Sequence, residues 1–180
     1  MKNRIVRLSA QVGLFAVAVA LFAGCSSCKP GRPGPLGKYK IEVTLDDSLK
    51  SSSVLVDLVG VQGSSLPRWE AYDMVKYWKE GDAMRRDADK KVLNFVSGQA
   101  TGQSLEMTDP LWDKWKAKGV SHVIVLADLP IAQASLPGTQ DPRRQILPLD
   151  QCSWPDKTKA LKILVQRSGI VVLTASRSAK

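Results

Sequence analysis

Apolar and polar positions alternate along residues 38–45. Ile41, Val43 and Leu45 stand on one side, Glu42 and Thr44 on the other. A period of two predicts a half-buried strand. Residues 46–53 form a polar connection. Residues 54–61 are then apolar on nearly both faces apart from Asp57, the pattern of a central strand covered on both sides. Here the period changes. Ser64 and Ser65 offer a cap and Pro67 a first-turn proline, and Ala71, Met74, Val75 and Trp78 follow at helical spacing with Trp69 and Tyr72 alongside. This predicts one aromatic helix ending at Glu80 and Gly81, its stripe reading as core before ligand platform. Charged residues 82–91 lead to a strand at 92–96, and the Gly, Gln, Thr and Ser of 97–104 predict a loop. Residues 105–107 can make a short strand. Thr108, Asp109 and Pro110 start a second helix, 111–118, with Leu111, Trp112 and Trp115 on its apolar side and Gly119 at its end. Strands at 120–129 and 143–149 follow, separated by a Pro/Gly-punctuated loop. A hairpin of 159–166 and 170–175 turns across Arg167, Ser168 and Gly169. About seven strands and two inserted helices, without regular strand–helix alternation, predict a mostly β fold, a two-sheet antiparallel β-sandwich.

The N-terminal fifth of the pattern is different. Lys2, Arg4 and Arg7 precede an apolar run over residues 12–23. At about a dozen residues, that run suits a signal peptide and is short of the ~20 needed to span a bilayer. Phe22, Ala23, Gly24 and Cys25 then resemble a bacterial lipobox, with Phe22 in place of the usual leucine. The resemblance implies thioether lipidation of Cys25, cleavage before it and acylation of the new amino group. Several acyl chains anchor a protein stably where one does not. The Pro and Gly residues that follow cannot form a helix and extend at about 3.1 Å per residue. Residues 26–37 therefore read as a semi-rigid spacer. The expected division is a signal peptide at 1–24, the lipidated cysteine and tether at 25–37, and a periplasmic domain at 38–180. Ser26 and Ser27 stand where inner-membrane lipoproteins carry an aspartate. By that resemblance the chain is expected on the outer membrane, facing the periplasm.

The 180 residues carry 26 Lys and Arg against 17 Asp and Glu, a formal charge of +9. Residues 1–24 hold three of the basic residues and none of the acidic ones, so a mature chain would carry +6. In the periplasm such a balance either only aids solubility, the more frequent case, or favours anionic headgroups or an acidic partner face, and no nucleic acid is expected. About 140 residues remain after the tether, enough for one domain. With Cys25 lipidated, Cys28 and Cys152 are the candidate disulfide in an oxidising compartment. Cys28's place in the Pro/Gly segment speaks against it.

The motifs of catalysis are missing. The single histidine, His122, lies in a strand beside Ser121, and there is no nucleophile elbow, phosphate loop or His-Glu-x-x-His. Asp46 with Asp47, and Asp87 with Asp89, lack the glycine and distal glutamate of an EF-hand. Asp141, Arg143 and Arg144 could clamp an anion, although a turn with Pro142 explains them equally well. Nothing pairs Glu70, Glu80 or Glu106 for glycoside chemistry. The expectation is no catalytic residue, no metal and no cofactor.

The order of these features carries a further resemblance. A lipobox and tether precede a strand, the central strand "SVLVDLVGV", the aromatic helix "LPRWEAYDMVKYW", the strand "VSHVIVLADLP" and a closing hairpin. Together they resemble the outer-membrane lipoprotein of type VI secretion systems, its J component (TssJ-like). The segments "DPLWDKWKAKG" and "DPRRQILPLD" depart from that order. The resemblance implies a transthyretin-like sandwich without catalysis. Such a protein is an adaptor held to the membrane by its lipid and docked on the periplasmic domain of an inner-membrane secretion protein. It also implies that the loop after the first strand takes part in the contact, which here points to Asp46, Asp47 and Lys50. The alternative is a periplasmic lipoprotein that binds glycan or peptidoglycan through exposed Trp69, Trp78, Trp112 and Trp115.

Overall fold

Alternation at residues 38–45 becomes β1 (Lys40–Leu45), with Ile41, Val43 and Leu45 buried. The computed structural model describes residues 34–130, 135–155 and 157–177; the expected signal peptide, Cys25 and Cys28 lie outside them. The two strands richest in apolar residues, β2 (Val54–Val61) and β5 (His122–Ala127), pair antiparallel in the middle of one sheet. Their side chains divide between two cores. Val54, Val56, Leu58, Val123 and Val125 face the space between the sheets, while Val59, Val61, Ile124 and Leu126 face helices on the outside. A strand apolar on both faces is thereby covered on both, as the sequence implied. On either side lie β3 (Lys90–Phe95) and β6 (Arg144–Pro148), giving the order β3-β2-β5-β6.

The second sheet sets β1 between β4 (Gly102–Leu105) and β7 (Ala160–Gln166), with β8 (Gly169–Val172) beyond, in the order β4-β1-β7-β8. The mostly β two-sheet sandwich is thus the observed fold, with one departure from the antiparallel expectation. β1 and β7 run parallel, Lys40 opposite Ala160 and Leu45 opposite Val165. A parallel pair needs a long connection, and here the whole other sheet supplies it. β4 takes the last three residues of the segment expected to be a loop and only the first residue, Leu105, of the short strand expected at 105–107. Only Leu105 in it is buried, so backbone pairing to β1 forms this strand without an apolar pattern to announce it.

Exposed edges of a sandwich invite pairing with other chains. Both open sides are bridged between the sheets by a glutamine amide. Gln103 Nε2 donates to Asn94 O at 2.6 Å and Gln145 Nε2 to Ile170 O at 3.2 Å.

The single aromatic helix expected before residue 80 is broken. α1 (Leu66–Glu70) stops early, α2 (Met74–Tyr77) restarts with Asp73 accepting from Lys76 N at 2.9 Å, and α3 (Ala83–Asp87) starts on Asp82, which accepts from Arg85 N at 2.8 Å. An aspartate that caps a new helix start competes with continuation of the old one. Together with α4 (Leu111–Ala117) there are four short α-helices among the described residues where two helices were expected. Trp112 and Trp115 of α4 are fully buried, their rings 5.1 Å apart edge to face. Gly60 of β2 makes room for them, because a Cβ there would lie 2.4 Å from the Trp115 ring.

Candidate functional site

β1 separates two ends of the sandwich. At its start, Gly37 N donates to Leu149 O at 2.7 Å, Gln151 N donates to Pro35 O at 3.0 Å, and Leu36 bridges Asp150. The last residues of the Pro/Gly run are therefore zipped onto the segment after β6. Six residues of strand at about 3.3 Å each place residues 46–53 some 20 Å away, at the opposite end.

The distal loop is a built structure. Asp46 accepts from Ser48 N at 2.9 Å, and that backbone bond holds the Asp46 carboxyl below its ordinary range. Leu49 is fully buried and pins the turn to the core. Gly98 N donates to Lys50 O at 3.1 Å and Arg167 Nη2 to Ser48 O at 3.1 Å, tying the loop to the β3–β4 and β7–β8 turns. Asp47 and Lys50 pair at 2.7 Å with side chains 86% and 58% exposed. That contact raises the Lys50 pKa. Of the three expected contact residues, Asp46 shapes the turn, while Asp47 and Lys50 stand at its surface.

The other sequence candidates are engaged internally. Arg143 grips Asp141 with two bonds, Nε to Oδ1 at 2.9 Å and Nη2 to Oδ2 at 2.7 Å, and both residues are buried. Burial acts to raise the Asp141 pKa, but Arg143 and the amides of Leu136 and Arg143 outweigh it and hold it at about 2. Arg144 is fully buried and donates only to carbonyls, those of Gly138, Leu136, Trp69 and Tyr72. Neither arginine is available to an anion. Asp87 pairs with Arg86, and Asp89 with Lys114 and Lys118. No group of three or more metal-ligating side chains occurs among the described residues. Ser121 Oγ and His122 Nδ1 lie 2.9 Å apart on adjacent residues, and burial lowers the His122 pKa.

The tryptophans correct the expectation attached to the glycan alternative. Trp112, Trp115 and Trp154 are at most 2% exposed, Trp69 is 8% exposed, and Trp78 is half-buried with Arg85 over its ring at 4.5 Å. Aromatic residues so placed fill the two cores and cannot form a stacking face. A cluster that sequence reasoning did not assemble lies beneath them. Tyr77 Oη and Arg85 Nε both donate to Oδ2 of fully buried Asp57 at 2.9 Å. Its one signal was an acid in an otherwise apolar strand. It ties α2 and α3 to the sheet, and burial beside Asp57 raises the Tyr77 pKa.

No protein-family model and no curated protein matches the chain. Solved structures do. Lip from Serratia marcescens, a membrane-bound component of the type VI secretion system, aligns at a TM-score of 0.50 and 12% identity. The alignment covers 76% of this chain and 96% of that one. The type VI secretion lipoprotein TssJ1 from Pseudomonas aeruginosa aligns at a TM-score of 0.49 and 13% identity over 81% of this chain and 100% of that one. At these identities the likeness is one of fold. The chain shares the fold of a type VI secretion lipoprotein, as its sequence order suggested.

Proposed function

We propose that this protein is an acylated outer-membrane lipoprotein, facing the periplasm, that acts as a non-enzymatic adaptor of a secretion-system membrane complex. Cys25 carries the lipid, and the partner is the periplasmic domain of an inner-membrane secretion protein. The observation that carries the reading is the opposition of the two ends. The last residues of the tether, Pro35 to Gly37, dock at one end of β1 and the loop with Asp47 and Lys50 projects at the other. An adaptor held to one membrane and reaching toward another needs that polarity. Burial of all the tryptophans in or against the cores removes the support for glycan stacking.

Two variants test it. Replacing Cys25 with serine should abolish palmitate labelling and release the protein from the outer membrane; retention of either overturns the anchor. The double reversal Asp47→Lys, Lys50→Glu changes an exposed pair worth under about 1 kcal/mol to folding, so the melting temperature should hold. Capture of the inner-membrane subunit from periplasmic extract at low salt should drop at least tenfold. Undiminished capture, or no protein captured by the parent chain, refutes the docking.

A further inference from the structure

The surplus charge of a mature chain is not spread evenly. Residues 151–180 hold six Lys and Arg against one Asp, and so carry five of its six net positive charges. The fold gathers most of them at one end. Lys159 precedes β7, and its carbonyl accepts from Lys40 N at 3.0 Å, so it stands at the end of β1 where residues 35–37 dock. Lys157 lies in the adjoining turn, where Thr158 N donates to Pro155 O at 2.9 Å. Leu161, Ile163 and Val165 of β7 face the core, which leaves Lys162 on the outer face. Arg177 joins the group through its backbone, N donating to Ser153 O at 2.8 Å. All four residues are exposed, and Lys157, Lys159 and Lys162 have no carboxylate partner among the described residues. Carboxylates nearby are engaged elsewhere. Asp150 accepts from Cys152 N and Ser153 N at 3.0 Å each, Asp113 pairs with Lys38 at 2.6 Å, and Glu42 and Glu106 pair with Lys40 at 3.1 and 3.3 Å.

An apolar side chain stands among these cations. Leu173 N donates to Lys162 O at 2.8 Å, and the register of β7 and β8 sets the two residues opposite each other on the outer face. At 56%, Leu173 is the most exposed large apolar residue among the described ones. Lysines around an exposed leucine suit the boundary of a bilayer, ammonium groups at the level of the phosphates and the leucine below them. An acidic protein face could also take the charge, but position favours lipid. The chain enters the domain at this end, and the anchor reading above, on which this inference rests, puts the membrane on that side.

We propose that Lys157, Lys159, Lys162 and Arg177, with Leu173, form a seat for anionic phospholipid headgroups. The lipid on Cys25 keeps the protein at the membrane, and the seat decides which way the domain faces. With this end down, the Asp47–Lys50 turn points away from the bilayer. Each cation at an anionic surface shifts the balance between seated and unseated orientations about fivefold. The attraction is screened by salt.

The native acylated chain is reconstituted in vesicles of phosphatidylcholine, alone or with about one quarter phosphatidylglycerol, and treated with an uncharged amine-reactive label. Mass mapping then reads each lysine. Labelling of Lys157, Lys159 and Lys162 should fall about fivefold or more in the anionic vesicles and recover in about 0.5 M salt, while Lys50 at the far end is unchanged. Equal labelling of the three in both vesicle types overturns the seat. In the variant Lys159→Glu, Lys162→Glu, Lys157 remains as the reporter and should lose its protection. Leu173→Ser should weaken the protection of all three lysines. Lys76→Glu, Lys79→Glu makes the same change of charge in and just after α2, and should leave the protection whole. If the two double variants behave alike, the membrane reads net charge rather than this face, and the proposal fails. Protection that appears only when periplasmic extract is added assigns the face to a protein and overturns it as well. Palmitate labelling separates the two readings. A chain without palmitate sinks the anchor and the seat together, whereas a labelled chain whose lysines ignore the lipid composition sinks the seat alone.

Discussion

Arg144 offers a sharp test of how the outer helices are held. Its guanidinium is fully buried, and its four bonds all end on backbone carbonyls: Gly138 at 2.7 Å, Trp69 at 2.8 Å, Tyr72 at 2.9 Å and Leu136 at 2.6 Å. No carboxylate bonds it directly, so the carbonyl dipoles replace the solvation it gave up. Trp69 lies in the last turn of α1 and Tyr72 just beyond its end, where Trp69 O otherwise accepts a bond of 3.3 Å from Tyr72 N. Arg144→Ala removes every donor at once. A bond from a charged donor is worth about 1.5–3 kcal/mol, yet the four share one relaxation and water can enter the space, so they do not add. The expected loss is about 3–5 kcal/mol, a large part of the 5–15 kcal/mol typical of a domain. Arg144→Lys keeps the charge, but a compact ammonium cannot span carbonyls on two segments, and about half that loss is expected. Arg144→Met fills the space without donors and should fall near alanine if hydrogen bonds dominate. Urea unfolding of the soluble chain, followed by tryptophan fluorescence, measures all three, with an unchanged slope confirming that stability alone moved. If alanine and methionine both stay within 1 kcal/mol of the parent, the carbonyl network is not what holds α1.

Gly60→Ala should lose about 1–3 kcal/mol and alter the near-ultraviolet dichroism, because the new methyl meets the Trp115 ring at 2.4 Å; an unchanged spectrum would refute the close packing. Asp141 has its pKa depressed from 3.8 to about 2, so its contribution is fully present above pH 3.8 and fades as the pH falls through 2. It amounts to about 2 kcal/mol, and Asp141→Asn should flatten the stability profile in that window while leaving its shape unchanged above pH 5. Acrylamide should quench the native tryptophans severalfold less than those of the urea-unfolded chain, with no response to peptidoglycan fragments. Quenching equal to the unfolded chain would restore the glycan alternative.

Much of this molecule was written locally. Alternation at Ile41, Val43 and Leu45 predicted β1, and the apolar runs around Val56 and Val125 predicted central strands, because burial on one face or two leaves a period in the chain. The lipobox-like Phe22-Ala23-Gly24-Cys25 is likewise a pattern of adjacent residues, and it lies outside the described ones. Other features depended on partners far away. β4 has no apolar period and exists because β1 offers it a free edge. The break between α1 and α2 turns on whether Asp73 caps or continues, which packing of Met74 and Tyr77 onto the sheet decides. Asp141, Arg143 and Arg144 read as an anion clamp while their neighbours were unknown. In the fold, the nearest carboxylate and four carbonyls occupy the same donors. The sequence could propose which residues carry charge and sulfur. Only the tertiary structure set the segment around Leu36 and the Asp47–Lys50 turn at opposite ends, since their separation comes from strand pairing across the length of the chain.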